Sequence, residues 1–241
     1  MRWTLSKDAH VLVLTGAGVS AESGVPTFRG MDGLWEGHSV QRVASPEGFD
    51  ADPELVWRFY SLRRDAGLKV KPNAGHHALV ALEKQLGDRF LLATQNVDGL
   101  HAAAGSERVI AMHGELYQSR CARCRVPFYD ESTHFSAPLP TCDDCGGRIR
   151  PHIVWFGEGL DSAHLDRIDR FIRNAGENLV FLAVGTSGVV YPAAGLVDVA
   201  RRAGGQTWLV DLAPAPEANA RYDRVITGKS GEILPVLFGV G

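Results

Sequence analysis

Four cysteines and one glycine turn carry most of the chemistry legible in this 241-residue chain. Cys121, Cys124, Cys142 and Cys145 form C-x2-C-x17-C-x2-C, ribbon spacing in which four thiolates close a tetrahedral zinc and leave no position for a substrate water. Such a Zn2+ is structural. Two reduced pairs without metal are the alternative, since a mesophilic cytosol disfavours disulfides. A nucleic-acid-reading ribbon is a further one, but Arg120, Arg123 and Arg125 form no dense basic cluster. Near the start, Gly16, Gly18 and Ala21 fit G-x-G-x-x-G/A directly after the apolar run Val11 to Leu14. Small residues there permit a tight turn and let backbone N–H groups approach a pyrophosphate at a helix N-terminus, so a dinucleotide is the expected ligand. A hydride-transfer domain would continue into a second strand ending in a ribose-binding acid. This chain runs instead through Pro26, Phe28, Arg29, Gly30, Gly33 and Trp35, which is loop chemistry. A long loop beside the turn points to a site that encloses its ligand.

The elements that must position these groups show as strand-like runs at Val11 to Leu14, Phe90 to Ala93, Val109 to Met112, Leu179 to Val184 and Thr207 to Leu212. Helical stretches such as His76 to Leu86 and Ala193 to Ala203 lie between them. The alternation predicts an α/β fold with a doubly wound, Rossmann-like parallel sheet, whose ligands bind beyond the carboxyl ends of the strands. Two stretches break the pattern. Residues 36–75 read as a small helical flap and 115–153 as the zinc-ribbon module, leaving 1–35, 76–114 and 154–241 for the dinucleotide-binding domain. A net charge of −3 excludes attraction to nucleic acid or anionic membranes by bulk electrostatics. The four-residue apolar run near the N-terminus is too short for a signal peptide or a membrane span. The expectation is therefore a cytoplasmic monomer that binds neither membrane nor nucleic acid.

Six features occur in order: the glycine turn, TQNVDGLH at Thr94 to His101, His113-Gly114, the four cysteines, FGE at Phe156 to Glu158, and GTS at Gly185 to Ser187. Together, from about Val11 to Pro235, they resemble the sirtuin family of NAD-dependent protein deacylases, in particular the bacterial branch that also removes acidic acyl groups. The resemblance implies NAD as a consumed cosubstrate and acyl-lysine proteins or peptides as partners. In that chemistry the acyl oxygen attacks the ribose carbon bearing nicotinamide, and a base then frees a ribose hydroxyl to take over the acyl group. The products are nicotinamide, free lysine and 2′-O-acyl-ADP-ribose. Protein mono-ADP-ribosylation is the rival reaction, and a non-catalytic NAD-binding module the rival from another class.

Taken alone, His113 closes a strand and could be a satisfied edge histidine, yet an imidazole titrating near neutrality suits a general base. By resemblance it is the catalytic base, with Asn96 as the second catalytic residue. Gln95, Asn96, Val97 and Asp98 form a polar turn that could be held by an Asx bond alone. By resemblance they line the nicotinamide and ribose pocket. The resemblance likewise assigns Ala17, Ser20 and Glu22 of the glycine turn to the cofactor, together with Pro26, Thr27, Phe28, Arg29 and Trp35 of the loop. Gly185, Thr186 and Ser187 follow, then Asp211, Leu212, Ala213 and Ser230. Asp211 stands where relatives commonly carry Asn and Glu nearby, and Ser230 where alanine is usual, so both bear on NAD affinity. Val154, Phe156, Gly157 and Glu158 resemble the strand that pairs with a substrate peptide.

Asp52 and Pro53 predict the start of a helix. On it Tyr60 and Arg63, three apart, share a face. Arg58 and Arg64 nearby leave a solvated basic face as the plain reading. The resemblance makes Tyr60 and Arg63 the carboxylate-binding pair of an acidic-acyl enzyme and Ala44 the small residue that leaves room for the chain, so desuccinylase and demalonylase activities are expected beside deacetylation.

Overall fold

Apolar runs buried along their whole length build the centre of the protein. The computed structural model describes residues 3–27, 34–35, 37–134 and 138–240. Within them β1 (His10–Thr15), β4 (Phe90–Thr94), β5 (Val109–Ala111), β9 (Leu179–Val184), β10 (Gln206–Asp211) and β11 (Arg224–Thr227) form one parallel sheet. Its order, β5-β4-β1-β9-β10-β11, reverses direction at β1, which is the doubly wound arrangement whose crevice opens where the order turns. Alternate residues serve opposite layers. Leu12 and Leu14 face a core shared with Phe181, Ile168 and Val197, whereas Val11 and Val13 face one shared with Leu79, Leu92 and Leu234. Covering these faces are α4 (Ala74–Leu86) and α9 (Ser230–Phe238) on one side, α6 (Ser162–Ala175) and α7 (Leu196–Arg202) on the other. Two short helices, α5 (Leu100–Ala104) and α8 (Ala218–Arg221), fill connections. No helix among the described residues is long and apolar enough to cross a membrane.

Two insertions leave this sheet. The first holds the short hairpin β2 (Leu34–Trp35) and β3 (His38–Ser39), then α1 (Val40–Val43), α2 (Pro46–Ala51) and α3 (Pro53–Gly67). Asp52 caps α3 by accepting from the Leu55 N–H at 3.0 Å, with Pro53 in the first turn, as expected. The second holds an antiparallel sheet of β6 (Gly114–Cys121), β7 (Pro127–Tyr129) and β8 (Ile149–Ile153). Both insertions share one core, in which Val56, Trp57 and Tyr60 of α3 meet Leu116, Cys121, Ile149 and Trp155.

Arg64 fastens α3 to the zinc-side sheet. Fully buried, it donates to the carbonyls of Leu116, Gln118 and Ser132, to Ser119 Oγ and to Asp130 Oδ2 over 2.7–3.1 Å. A buried guanidinium without such partners would be strongly destabilising.

The glycine turn departs from expectation. No regular helix follows β1; two single 3-10 turns, Ala17–Val19 and Ala21–Ser23, stand in its place. Gly24, in the left-handed region at φ 89, and Pro26 two residues later stop any continuation. The helix that completes the first β-α-β unit is α4, beyond the insertion. Its cap residue Asn73 also donates to Val19 O and Ser23 Oγ, tying the turn down. The helix expected from Ala193 to Ala203 also resolves into a 3-10 turn, Ala193–Gly195, followed by α7.

Candidate active site

The carboxyl ends of β1, β4, β9 and β10 open into a cavity of about 770 Å³. Its floor is the crossing of two backbones. Gly18 N donates to Gly185 O at 2.8 Å, and a Cβ on Gly18 would lie 2.6 Å from Gly185 Cα. Only glycine allows the two turns this approach.

Beside the floor, the polar turn after β4 is pinned from several sides. Asn96 Nδ2 donates to Gly16 O and Ser20 Oγ, each at 3.1 Å, and Ser20 Oγ donates to Asp98 Oδ2 at 2.7 Å. Asp98 Oδ1 accepts from Leu100 N, while Gln95 Nε2 reaches Thr186 Oγ1 at 2.9 Å. Ser20 is buried beneath this network and does not line the cavity, because its hydroxyl is spent joining Asn96 to Asp98. The remaining cofactor candidates come together on the wall: Ala17, Ala21, Glu22, Pro26, Thr27, Val97, Ser187, Asp211, Leu212, Ala213 and Ser230. Ser230 Oγ donates to Glu22 Oε1 at 3.1 Å, joining the first turn to α9. Phe28 and Arg29, and the side chain of Trp35, lie outside the described residues.

His113 lines the same cavity. Its Nδ1 sits 3.1 Å from the Gln95 carbonyl oxygen. A carbonyl only accepts, so Nδ1 carries the proton and Nε2 the basic lone pair. Burial holds the ring below its ordinary 6.5, the hydrogen bond to Gln95 opposing it in part. The imidazole is therefore neutral at pH 7 and competent to take a proton.

Ala44, Tyr60 and Arg63 meet at the far wall with Val154, Phe156 and Gly157. Tyr60 is buried and its phenol pushed up to about 12, chiefly by desolvation. Arg63 lies with its guanidinium carbon 5.6 Å from the Phe59 ring centre. β8 ends at Ile153, and beyond Val154 and Trp155 a turn follows with Gly157 at φ 88. Val154 N and Phe156 N are taken by His113 O and Ala44 O. The Glu158 carboxylate, though in the lining, accepts from Arg120, Arg150 and Trp155 N, so its task is internal.

The structure also brings in residues that the sequence did not single out: Val25, Trp155, Leu160, Val190, Tyr191 and Lys229. Lys229 adjoins the chosen Ser230 and could have been found by proximity. Nothing in the spacing signals Trp155 or Tyr191.

Away from the cavity, the four cysteine sulfurs lie within 4.8 Å of one another, with Cys121 to Cys145 at 3.4 Å and Cys124 to Cys142 at 3.8 Å. A tetrahedral zinc with bonds of about 2.3 Å sets sulfurs about 3.8 Å apart, so the cluster fits that ion and leaves no open coordination position.

Comparison with known proteins agrees with this arrangement. The Sir2 family model matches residues 16–192. An NAD-dependent protein deacylase of Shewanella oneidensis is 46% identical over 236 residues, covering 95% of this chain and 92% of its own. A solved Sir2 homologue in complex with NAD superposes with a TM-score of 0.83 at 43% identity, covering 93% of this chain and 86% of its own. A Sir2 protein bound to acetylated peptide does so with 0.79 at 32% identity, covering 93% and 90%. With its cavity on the switch point of the sheet, its tetrathiolate cluster and relatives matching almost end to end, the chain belongs to the Sir2 family.

Proposed function

We infer that the chain is an NAD-dependent protein-lysine deacylase that moves the acyl group of a modified lysine onto ADP-ribose and releases nicotinamide. The observation that carries this reading is the His113 ring, neutral, fixed by Gln95 O and lining one cavity with the glycine crossing. NAD supplies a ribose carbon made electrophilic by the departure of neutral nicotinamide. Gly16, Gly18 and Gly185 let the two turns close on each other and so form the floor on which the pyrophosphate rests, and Asp211 at the end of β10 stands where a dinucleotide fold holds a ribose. Asn96 and Asp98, locked through Ser20, orient the nicotinamide half. His113 Nε2 takes the proton of the ribose hydroxyl that receives the acyl group. Residues 1–35, 76–114 and 154–241 act as the NAD-binding domain, 36–75 as a helical flap that brings Ala44, Tyr60 and Arg63 to the acyl-lysine side, and 115–153 as the zinc-binding module.

The pocket formed by Ala44, Tyr60 and Arg63 supports removal of succinyl and malonyl groups beside acetyl. Tyr60 stays protonated and donates, Arg63 offers a forked cation, and Ala44 takes little space. Incubation with acetyl-lysine and succinyl-lysine peptides, followed by mass spectrometry, should yield nicotinamide and the matching O-acyl-ADP-ribose. ADP-ribose attached to the protein instead would establish the rival reaction. Arg63→Met should cost about 2–4 kcal/mol in kcat/KM for succinyl-lysine and much less for acetyl-lysine; equal losses for both would make the residue structural.

A further inference from the structure

Trp155 Nε1 lies 3.0 Å from the Tyr60 hydroxyl, and both rings are buried. An indole nitrogen donates and has no lone pair to accept with. The direction of this bond is therefore fixed: Tyr60 Oη accepts, and the phenolic proton points away from Trp155. Tyr60 is among the residues that line the cavity, with Ala44 and Arg63.

Trp155 is itself held by a closed set of charges. The Arg150 guanidinium stacks on the indole, its carbon 3.3 Å from the ring centre. Arg150 reaches Glu158 Oε1 at 2.8 Å, Glu158 Oε2 at 2.9 Å and Ile153 O at 2.8 Å. Glu158 Oε2 then accepts from the backbone N–H of Trp155 at 2.8 Å, and Arg120 adds a bond to Oε1 at 3.0 Å. Main chain and ring of Trp155 are thus anchored by one ion-pair cluster. A cation on the face of the indole also draws electron density from it, which strengthens Nε1–H as a donor.

We propose that Trp155 is a positioning residue for acyl selectivity: by filling the acceptor side of the Tyr60 hydroxyl, it commits the Tyr60 proton to the carboxylate of an acidic acyl chain held by Arg63. This rests on the acidic-acyl reading of Tyr60 and Arg63. It adds that their selectivity is set by a third side chain, 95 residues from Tyr60 in sequence. Without the indole N–H, the hydroxyl can turn its proton elsewhere, and the carboxylate loses a fixed donor.

The test is a double-mutant cycle on the ratio of kcat/KM for succinyl-lysine to that for acetyl-lysine in one peptide at saturating NAD. Trp155→Phe should lower the ratio about 5–10-fold, chiefly through KM for the succinyl peptide, and Tyr60→Phe by a similar factor. The double variant should lower it no further than the larger single change. Equal losses on both substrates, or factors that multiply in the double variant, would overturn the proposal. If Trp155→Phe fails to fold, benzothienylalanine at position 155 keeps the shape of the ring and removes only the N–H, and the same fall is expected. A wild-type protein without succinyl activity would instead defeat the acidic-acyl reading. Desuccinylation that depends on Tyr60 while ignoring Trp155 would defeat this inference alone.

Discussion

Alanine at Gly18 would bring its Cβ to 2.6 Å from Gly185 Cα and 2.8 Å from Gly185 O. Non-bonded carbons rest at about 3.5–4.0 Å, so the two turns must part by about 1 Å. Neither neighbour is a side chain that can swing aside, and Gly185 is already committed to φ 58. Overpacking of this kind costs about 1–3 kcal/mol, or roughly 2–12 °C in Tm for a chain of this size. The kinetic penalty should be larger. Asn96 hangs on Gly16 O of the same turn, so the shift reaches the groups that orient the nicotinamide half, and a 1 Å misplacement costs on the order of 100-fold in rate. Initial rates against NAD with an acetyl-lysine peptide, paired with a thermal melt, measure both. Gly24→Ala is the control, since a Cβ there meets no atom of the described residues within 4 Å and the change falls on its φ of 89. A Gly18→Ala protein with wild-type kcat/KM for NAD would refute the close-approach argument.

Because burial holds His113 below 6.5, its basic form persists as pH falls through 6.5, and kcat/KM should decline only below that value; an acid limb centred above 6.5 would contradict the assignment. His113→Tyr should abolish turnover while leaving zinc content and Tm unchanged, and near-native turnover would remove its role as base. Metal analysis should find one zinc per chain, and Cys121→Ala should lower stability; freshly purified protein without zinc would refute the ribbon. His76 and His101, their rings 4.8 Å apart, are held down to about 4 and about 3 by burial. The unfolded chain therefore binds protons first, and stability should fall as pH drops from 6.5 through 4 toward 3, with a shallower fall in His101→Gln melts.

Strands buried on both faces announce themselves as continuous apolar runs, which is why β1, β4 and β9 were legible to within a residue at each end. The edge strand β11 has only partly covered side chains and lacks that signal. Helix α6 sets Leu165, Ile168, Phe171, Ile172 and Ala175 on the core, but charged residues separate them in the sequence, so no continuous apolar run marked it. At the site, the motif residues could be found because chemistry fixes their types at short spacing. The helix expected after the glycine turn was wrong because fingerprint spacing specifies a tight turn, whereas the chain's exit depends on Gly24 and Pro26. Trp155 was hidden for another reason: its bond to Tyr60 joins the first insertion to the segment just after β8, 95 residues on, and the two meet only in the folded core.

Neighbouring arginines on α3 answer to different demands. Arg64 is sewn into five acceptors across the zinc-side sheet, while Arg63 turns toward the cavity with Tyr60. Arg64→Met should therefore cost about 3–5 kcal/mol of stability, read from urea midpoints, where Arg63→Met costs little. For anyone redesigning this enzyme, the boundary between interchangeable and untouchable positions runs between two consecutive codons. Substrate preference can be rewritten at the first only while the second keeps the helix anchored.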